Sequence, residues 1–144
     1  MPHHLLIVDD EPATAWALAE GLADDGFTID TFRTAEDACR WLRHSRSDLI
    51  ISDLRLPGMS GLDLARKLAR GRNAQPVIIV TAYGSPDTLR SLRDAGVADC
   101  FSKPFAIDAL RLAVRRALAA RDASARRAVT RTRRRPSAPR RKAA

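Results

Sequence analysis

Sulfur for metal binding is scarce in this chain: Cys39 and Cys100 are its two cysteines, far apart and in no ligand spacing. They exclude a zinc module and a disulfide scaffold, and they point to a reducing, cytoplasmic setting. No apolar stretch approaches the eighteen or so residues of a membrane span, so no membrane partner is expected. Met1-Pro2-His3-His4 has none of the layout of a signal peptide and leads straight into a strand. The two histidines have no third ligand nearby in sequence and read as surface residues. Acids are missing from the end of the chain, where ten Arg and Lys face a single acid, Asp122, between Arg121 and Ala144. Residues 1–120 hold 15 basic and 16 acidic side chains. The globular part is therefore near neutral, and the excess positive charge lies in the tail.

What is present is a β-α repeat organised around Leu49-Ile50-Ile51-Ser52-Asp53-Leu54-Arg55-Leu56-Pro57-Gly58-Met59-Ser60-Gly61. A short, β-branched run, apolar on both faces, ends on a carboxylate, as in a central strand covered by helices on both sides. A Pro-Gly turn follows, and Ser60 with Asp63 has capping-box spacing for the next helix. Leu5-Leu6-Ile7-Val8 repeats the pattern and ends in Asp9-Asp10-Glu11, with Pro12 suited to the first turn of a helix. That helix is expected to bury Thr14, Ala17, Leu18, Gly21 and Leu22 and to leave Trp16 off the stripe. Phe27 to Thr31 alternates like an edge strand, and a helix capped by Thr34 buries Ala38, Cys39 and Leu42. Leu62, Leu64, Ala65 and Leu68 form the stripe of the third helix. Val77-Ile78-Ile79-Val80 closes on Thr81, and Ser85-Pro86 opens a helix that Gly96 ends. Val97 to Phe101 precedes Lys103-Pro104, and a last helix from Ile107 turns Leu110, Ala113, Val114, Ala117 and Leu118 inward.

Five such units with short connections give right-handed crossovers and one parallel sheet. The expected fold is α/β, a doubly wound five-stranded parallel sheet, (βα)5 and flavodoxin-like, with strand order 2-1-3-4-5. Strands one and three are then neighbours, and their carboxyl ends bring Asp9, Asp10 and Asp53 together, flanked by Thr81 and Lys103. Three crowded carboxylates repel, and a divalent cation and an ammonium group offset that repulsion. Mg²⁺ prefers oxygen ligands and pairs a few carboxylates with phosphate oxygens, while Lys103 supplies a point charge for a phosphoryl oxygen. The set suits an aspartate that acts as a nucleophile toward phosphorus.

These motifs, Val8-Asp9-Asp10-Glu11, Asp53 with Leu56 to Gly61, Thr81-Ala82 and Lys103-Pro104-Phe105, make residues 3–120 resemble a response-regulator receiver domain of bacterial two-component signalling. The resemblance implies Asp53 as phosphoacceptor, with Asp9, Asp10 and Asp53 holding Mg²⁺. It implies Thr81 as the switch hydroxyl, Lys103 as the phosphoryl contact, and a cis Lys103–Pro104 bond. A sensor histidine kinase or phosphotransfer protein would be the donor, docking near Trp16 and the loop after the fifth strand. A downstream protein target would read the fourth helix, fifth strand and fifth helix, where a weak dimer could also form. The chemistry is self-phosphorylation and dephosphorylation, not enzymatic turnover. One departure stands out: the family usually has an aromatic three residues before its lysine, and here that position is Cys100, with Tyr83 available to fill the space.

Competing readings differ in class. A phosphatase or phosphotransferase with an aspartyl intermediate commonly needs Asp-x-Asp after strand one, and this chain has adjacent Asp9-Asp10. A degenerate receiver serving as scaffold would have lost some of the five site residues. The domain is expected over 1–121, with 122–144 a basic, disordered tail and no folded output domain. Through residues 121–144 the chain could also bind nucleic acid nonspecifically, by phosphate contacts without base stacking.

Overall fold

The computed structural model describes residues 2–71 and 74–134. Ten elements alternate along it: β1 (His4–Val8), α1 (Pro12–Ala23), β2 (Thr28–Phe32), α2 (Ala35–Leu42), β3 (Leu49–Asp53), α3 (Gly61–Ala69), β4 (Val77–Thr81), α4 (Pro86–Asp94), β5 (Asp99–Ser102) and α5 (Ile107–Arg134). The five strands form one parallel sheet in the order β2-β1-β3-β4-β5, as the β-α periodicity predicts. Leu5 to Val8 lie beside Leu49 to Ser52, and Asp53 lies beside Val80. The central strands β1, β3 and β4 are apolar on both faces because both faces are covered.

Alternation along each strand divides the core into two layers. Leu5, Ile7, Leu49, Ile51, Ile78 and Val80 pack against Ala15, Leu18 and Leu22 of α1 and Leu110, Val114 and Leu118 of α5. Leu6, Val8, Ile50 and Ile79 face Ala35, Ala38 and Cys39 of α2, Leu64 and Ala65 of α3 and Leu92 of α4. Each fully buried Leu or Ile contributes roughly 2–3 kcal/mol of transfer free energy. In α1 the buried stripe is Ala15, Leu18 and Leu22, while Ala17 is exposed and Thr14 half-buried. The expected stripe was thus rotated by about one position, because small residues fill most of this helix and give a weak phase.

Local chemistry sets the helix ends. Ser60 and Asp63 exchange their bonds in a complete capping box, and Thr34 and Ser85 cap α2 and α4 through the amides of Asp37 and Thr88. Gly26 and Gly96, with φ of 78° and 82°, take the left-handed turns after α1 and α4.

α5 departs from the expected boundary at 121 and continues as a helix to Arg134. Residues 122–134 are rich in Ala and Arg, both strong helix formers, and no Gly or Pro interrupts them before Pro136. The coil expected there is corrected for 122–134, and 135–144 lie outside the described residues. The first half of α5 is tied down by Arg111 Nε on the Gly21 carbonyl at 2.8 Å and by Arg115 on Asp25 at 2.7 Å. Arg121 then meets Asp48 at 2.6 Å, and Asp122 meets His3 at 3.2 Å.

Candidate functional site

The carboxyl ends of the strands converge on a small acidic pocket. Asp9 follows β1, and its side chain is 3% exposed. Asp53 ends β3, and Asp10 lies exposed at the rim. One oxygen from each of Asp9, Asp10 and Asp53 lies within 4.8 Å of the others. Among the described residues these are the His, Cys, Asp or Glu side chains that gather in this way. Lys103, delivered by the loop after β5, places its ammonium 3.5 Å from Asp53 Oδ2 and 3.8 Å from Asp9 Oδ2. The Lys103–Pro104 bond is cis.

Backbone amides hold the carboxylates in place. Asp9 Oδ1 accepts the Glu11 N–H at 2.9 Å, and Asp53 Oδ1 accepts the Arg55 N–H at 3.2 Å. Burial pushes the Asp9 carboxyl above its ordinary value, the Glu11 amide and Lys103 ammonium pull it back, and Asp53 and Asp10 push it up again. The upward influences prevail: unaided, the pocket disfavours its own negative charge. An oxygen-rich trio with one buried and two more accessible members fits Mg²⁺, which coordinates carboxylates and keeps several waters. Receiver domains typically bind Mg²⁺ at such an acidic pocket.

Thr81 ends β4 and is 1% exposed. Its Oγ1 accepts the Tyr83 N–H at 3.1 Å, and its strand neighbour across the ladder is Ser102. All five residues singled out by sequence therefore stand at the same end of the sheet. The position of Cys100 lies on the α2–α4 side of the sheet, and Phe101 lies on the opposite side, packed on Phe105. Tyr83 does not fill the space beside Cys100. Its ring is 65% exposed, beneath the Arg55 guanidinium at 4.7 Å from the ring centroid. Arg55 and Tyr83, each two residues beyond a site residue, are thus paired across two loops at the pocket mouth.

Sequence reasoning also missed Glu36, whose carboxylate accepts the Met59 N–H. That bond holds the Glu36 carboxyl below its usual range and ties the start of α2 to the loop after Asp53. Gly58, with φ of 78°, packs on the same carboxylate. A longer-range signal, an acid in one helix meeting a loop 23 residues later, has no local pattern.

The histidines occupy separate settings. His4 stacks on Trp41 at 5.0 Å and bonds to Asp30 at 2.7 Å. Cys39 is buried, and burial raises its thiol, as for a core residue.

Comparison with known proteins fits this geometry. The model of the response regulator receiver domain matches residues 5–115. The chain is 36% identical over 112 residues to the DNA-binding transcriptional regulator NtrC of Escherichia coli, covering 78% of this chain and 24% of that protein. It is 37% identical over 118 residues to the transcriptional regulatory protein GlrR of the same organism, covering 81% of this chain and 26% of that protein. The chain thus spans about a quarter of the length of these relatives. Among solved structures, a signal receiver domain from Vibrio parahaemolyticus superposes with a TM-score of 0.82 at 31% identity, over 86% of this chain and 95% of that one. The signal receiver domain of a signal transduction histidine kinase from Syntrophus aciditrophicus gives 0.76 at 32%, over 82% and 91%. By its motifs, its strand order and these matches, the chain belongs to the response regulator receiver domain family.

Proposed function

We propose that this receiver domain takes a phosphoryl group onto Asp53 from the phosphohistidine of a sensor kinase or phosphotransfer protein, and so switches a protein-interaction surface. One observation supports this above the others. The Asp53 carboxylate stands at the end of a buried strand, between a second carboxylate and the only ammonium that reaches it among the described residues. In the transfer a carboxylate oxygen of Asp53 attacks phosphorus. The phosphorus–nitrogen bond breaks, and the electron pair leaves with the imidazole nitrogen. Mg²⁺ held by Asp9, Asp10 and Asp53 would supply charge neutralisation at the phosphoryl oxygens. Lys103 offsets carboxylate repulsion before transfer and pairs with the phosphoryl group after it. The Thr81 hydroxyl then donates to a phosphoryl oxygen, and its movement reaches the surface of α4, β5 and α5. Cys100, small and apolar, gives that movement no inward-swinging ring.

The test is intact-mass measurement after incubation with a small phosphodonor, with and without Mg²⁺. The wild-type chain should gain one phosphoryl group only with the metal, and Asp53→Ala should gain none. A phosphoryl group that persists in Asp53→Ala would overturn the assignment. No phosphorylation of the wild-type chain by any donor would favour the scaffold reading. Lys103→Ala should still accept the group but lose the phosphorylation-dependent amide shifts over α4, β5 and α5. Full shifts in that variant would remove the relay role.

A further inference from the structure

At the opposite end of the sheet, beneath the amino ends of β3 and β4, lies a cavity of about 550 Å³. Three separate segments supply its basic lining: Arg43 and Arg46 from the connection after α2, Lys67 from the last turn of α3, and Arg121 from α5. His44 and Gln75 add polar groups to the rim. Arg43 and Lys67 complement the carbonyl ends of their helices. That role does not account for Arg46 or Arg121, nor for the convergence of all four on one hollow.

The charge balance there is one-sided. Arg121 pairs with Asp48. Among the described residues, Arg43, Arg46 and Lys67 form no ion pair with a carboxylate, and all three are exposed. From this cavity α5 continues outward with Arg126 and Arg127 exposed on it. The sequence beyond adds Arg131, Arg133, Arg134, Arg135, Arg140, Arg141 and Lys142 without an acid. Solvated arginines and lysines bind poorly to a single carboxylate, but a row of them suits a polyanion, whose condensed counterions they release. The aromatic residues needed to stack single-stranded bases are missing from the lining.

We propose that this basic end is a binding surface for the phosphate backbone of duplex nucleic acid, with one phosphate seated in the cavity among Arg43, Arg46, Lys67 and Arg121 and neighbouring phosphates met by the arginines along α5. The surface is part of the folded domain, not of the tail alone. It lies one strand length, roughly 16 Å, from Asp53, so bound nucleic acid leaves the phosphoacceptor pocket open. Recognition is by charge and spacing and is indifferent to base sequence.

Fluorescence anisotropy of a labelled duplex with the full chain, at salt from about 50 to 200 mM, tests this. The chain should bind with a steep salt dependence and little preference among sequences. The triple variant R43A/R46A/K67A changes exposed side chains, and circular dichroism checks its fold. It should bind at least about tenfold more weakly at low salt, and its log–log salt slope should be shallower by about 2.7, at ~0.9 per lost phosphate contact. R126A/R127A should show a similar but smaller change. Wild-type affinity in a folded triple variant would overturn the proposal and leave the tail as the binding element. Absence of binding at low salt would overturn it as well. Equal occupancy by inorganic phosphate or a free nucleotide at the same concentration would make the cavity a small-anion site and sink the duplex assignment.

Discussion

The two ends of this sheet have opposite charge and opposite construction. At the carboxyl ends, Asp9, Asp10 and Asp53 are gathered within 4.8 Å, with Asp9 buried and Lys103 as the counter-charge. At the amino ends, the cations are exposed, spread over three segments, and held by few bonds. A buried charged cluster needs a defined partner for each group, so backbone amides and caps fix every carboxylate at the acid end. An exposed basic surface needs only density of charge, so its side chains can move. The acid end should therefore be intolerant of small changes in volume or charge, and the basic end permissive.

Adding one methyl group at each end gives the largest stability contrast. A Cβ at Gly61 would lie 2.3 Å from the Asp53 carbonyl oxygen, which is backbone and cannot swing away. Gly61→Ala should therefore cost about 3 kcal/mol, at the upper range of overpacking, and should slow phosphorylation by displacing Asp53. At Gly71, at the end of α3 on the basic side, the nearest atom to a new Cβ is the Leu68 carbonyl oxygen at 3.4 Å, an ordinary contact. Gly71→Ala should stay within about 0.5 kcal/mol of wild type. Urea denaturation of both variants measures the difference, and equal losses would break the contrast.

Metal gives the next effect. Ionised Asp9, Asp10 and Asp53 repel, and the raised Asp9 carboxyl reports the cost. Mg²⁺ at about tenfold above its Kd should stabilise the chain by ~1.4 kcal/mol, by mass action on the folded state. Asp10→Asn should shrink the rise in melting temperature, whereas R43A/R46A should leave it intact. A metal effect that survives Asp10→Asn would move the cation elsewhere.

The acid end was also the more legible in sequence. Its residues follow runs such as Leu5 to Val8 and Leu49 to Ser52, whose burial on both faces fixes them as central strands. A carboxylate immediately after such a run can only lie at the carboxyl edge of the sheet. The basic end gave no such pattern, because Arg43, Lys67 and Arg121 are scattered along the chain and meet only once the helices pack. The length of α5 was misjudged for another reason. An Ala- and Arg-rich segment without large apolar residues looks unable to join a core, yet helix formation needs only propensity and a docked first half. The outward Tyr83 escaped prediction because its partner, Arg55, is on a different loop.

The smallest expected effect probes the one ion pair that joins the basic end to the sheet. Burial alone would raise the Asp48 carboxyl. The His4 N–H at 2.8 Å and the Arg121 guanidinium at 2.6 Å outweigh it, and the carboxyl lies below its ordinary value of 3.8. A depressed folded value means the unfolded chain takes up the proton first as pH falls. The stabilisation is therefore fully present above the unfolded value near 3.8 and is lost as pH drops through the lower folded value. Asp48 and Arg121 are 35% and 30% exposed, so solvent screening limits the pair to about 0.5 kcal/mol. Asp48→Asn keeps an oxygen that can accept the His4 N–H but removes the charge that Arg121 meets. At pH 7 the variant should be weaker by about that amount, and below pH 3 or so the two proteins should converge. Salt should narrow the gap at pH 7. A gap that persists unchanged at acid pH would mean that Asp48 acts through shape and its bond to β1, and that α5 is anchored by the apolar contacts of Leu110, Val114 and Leu118 alone.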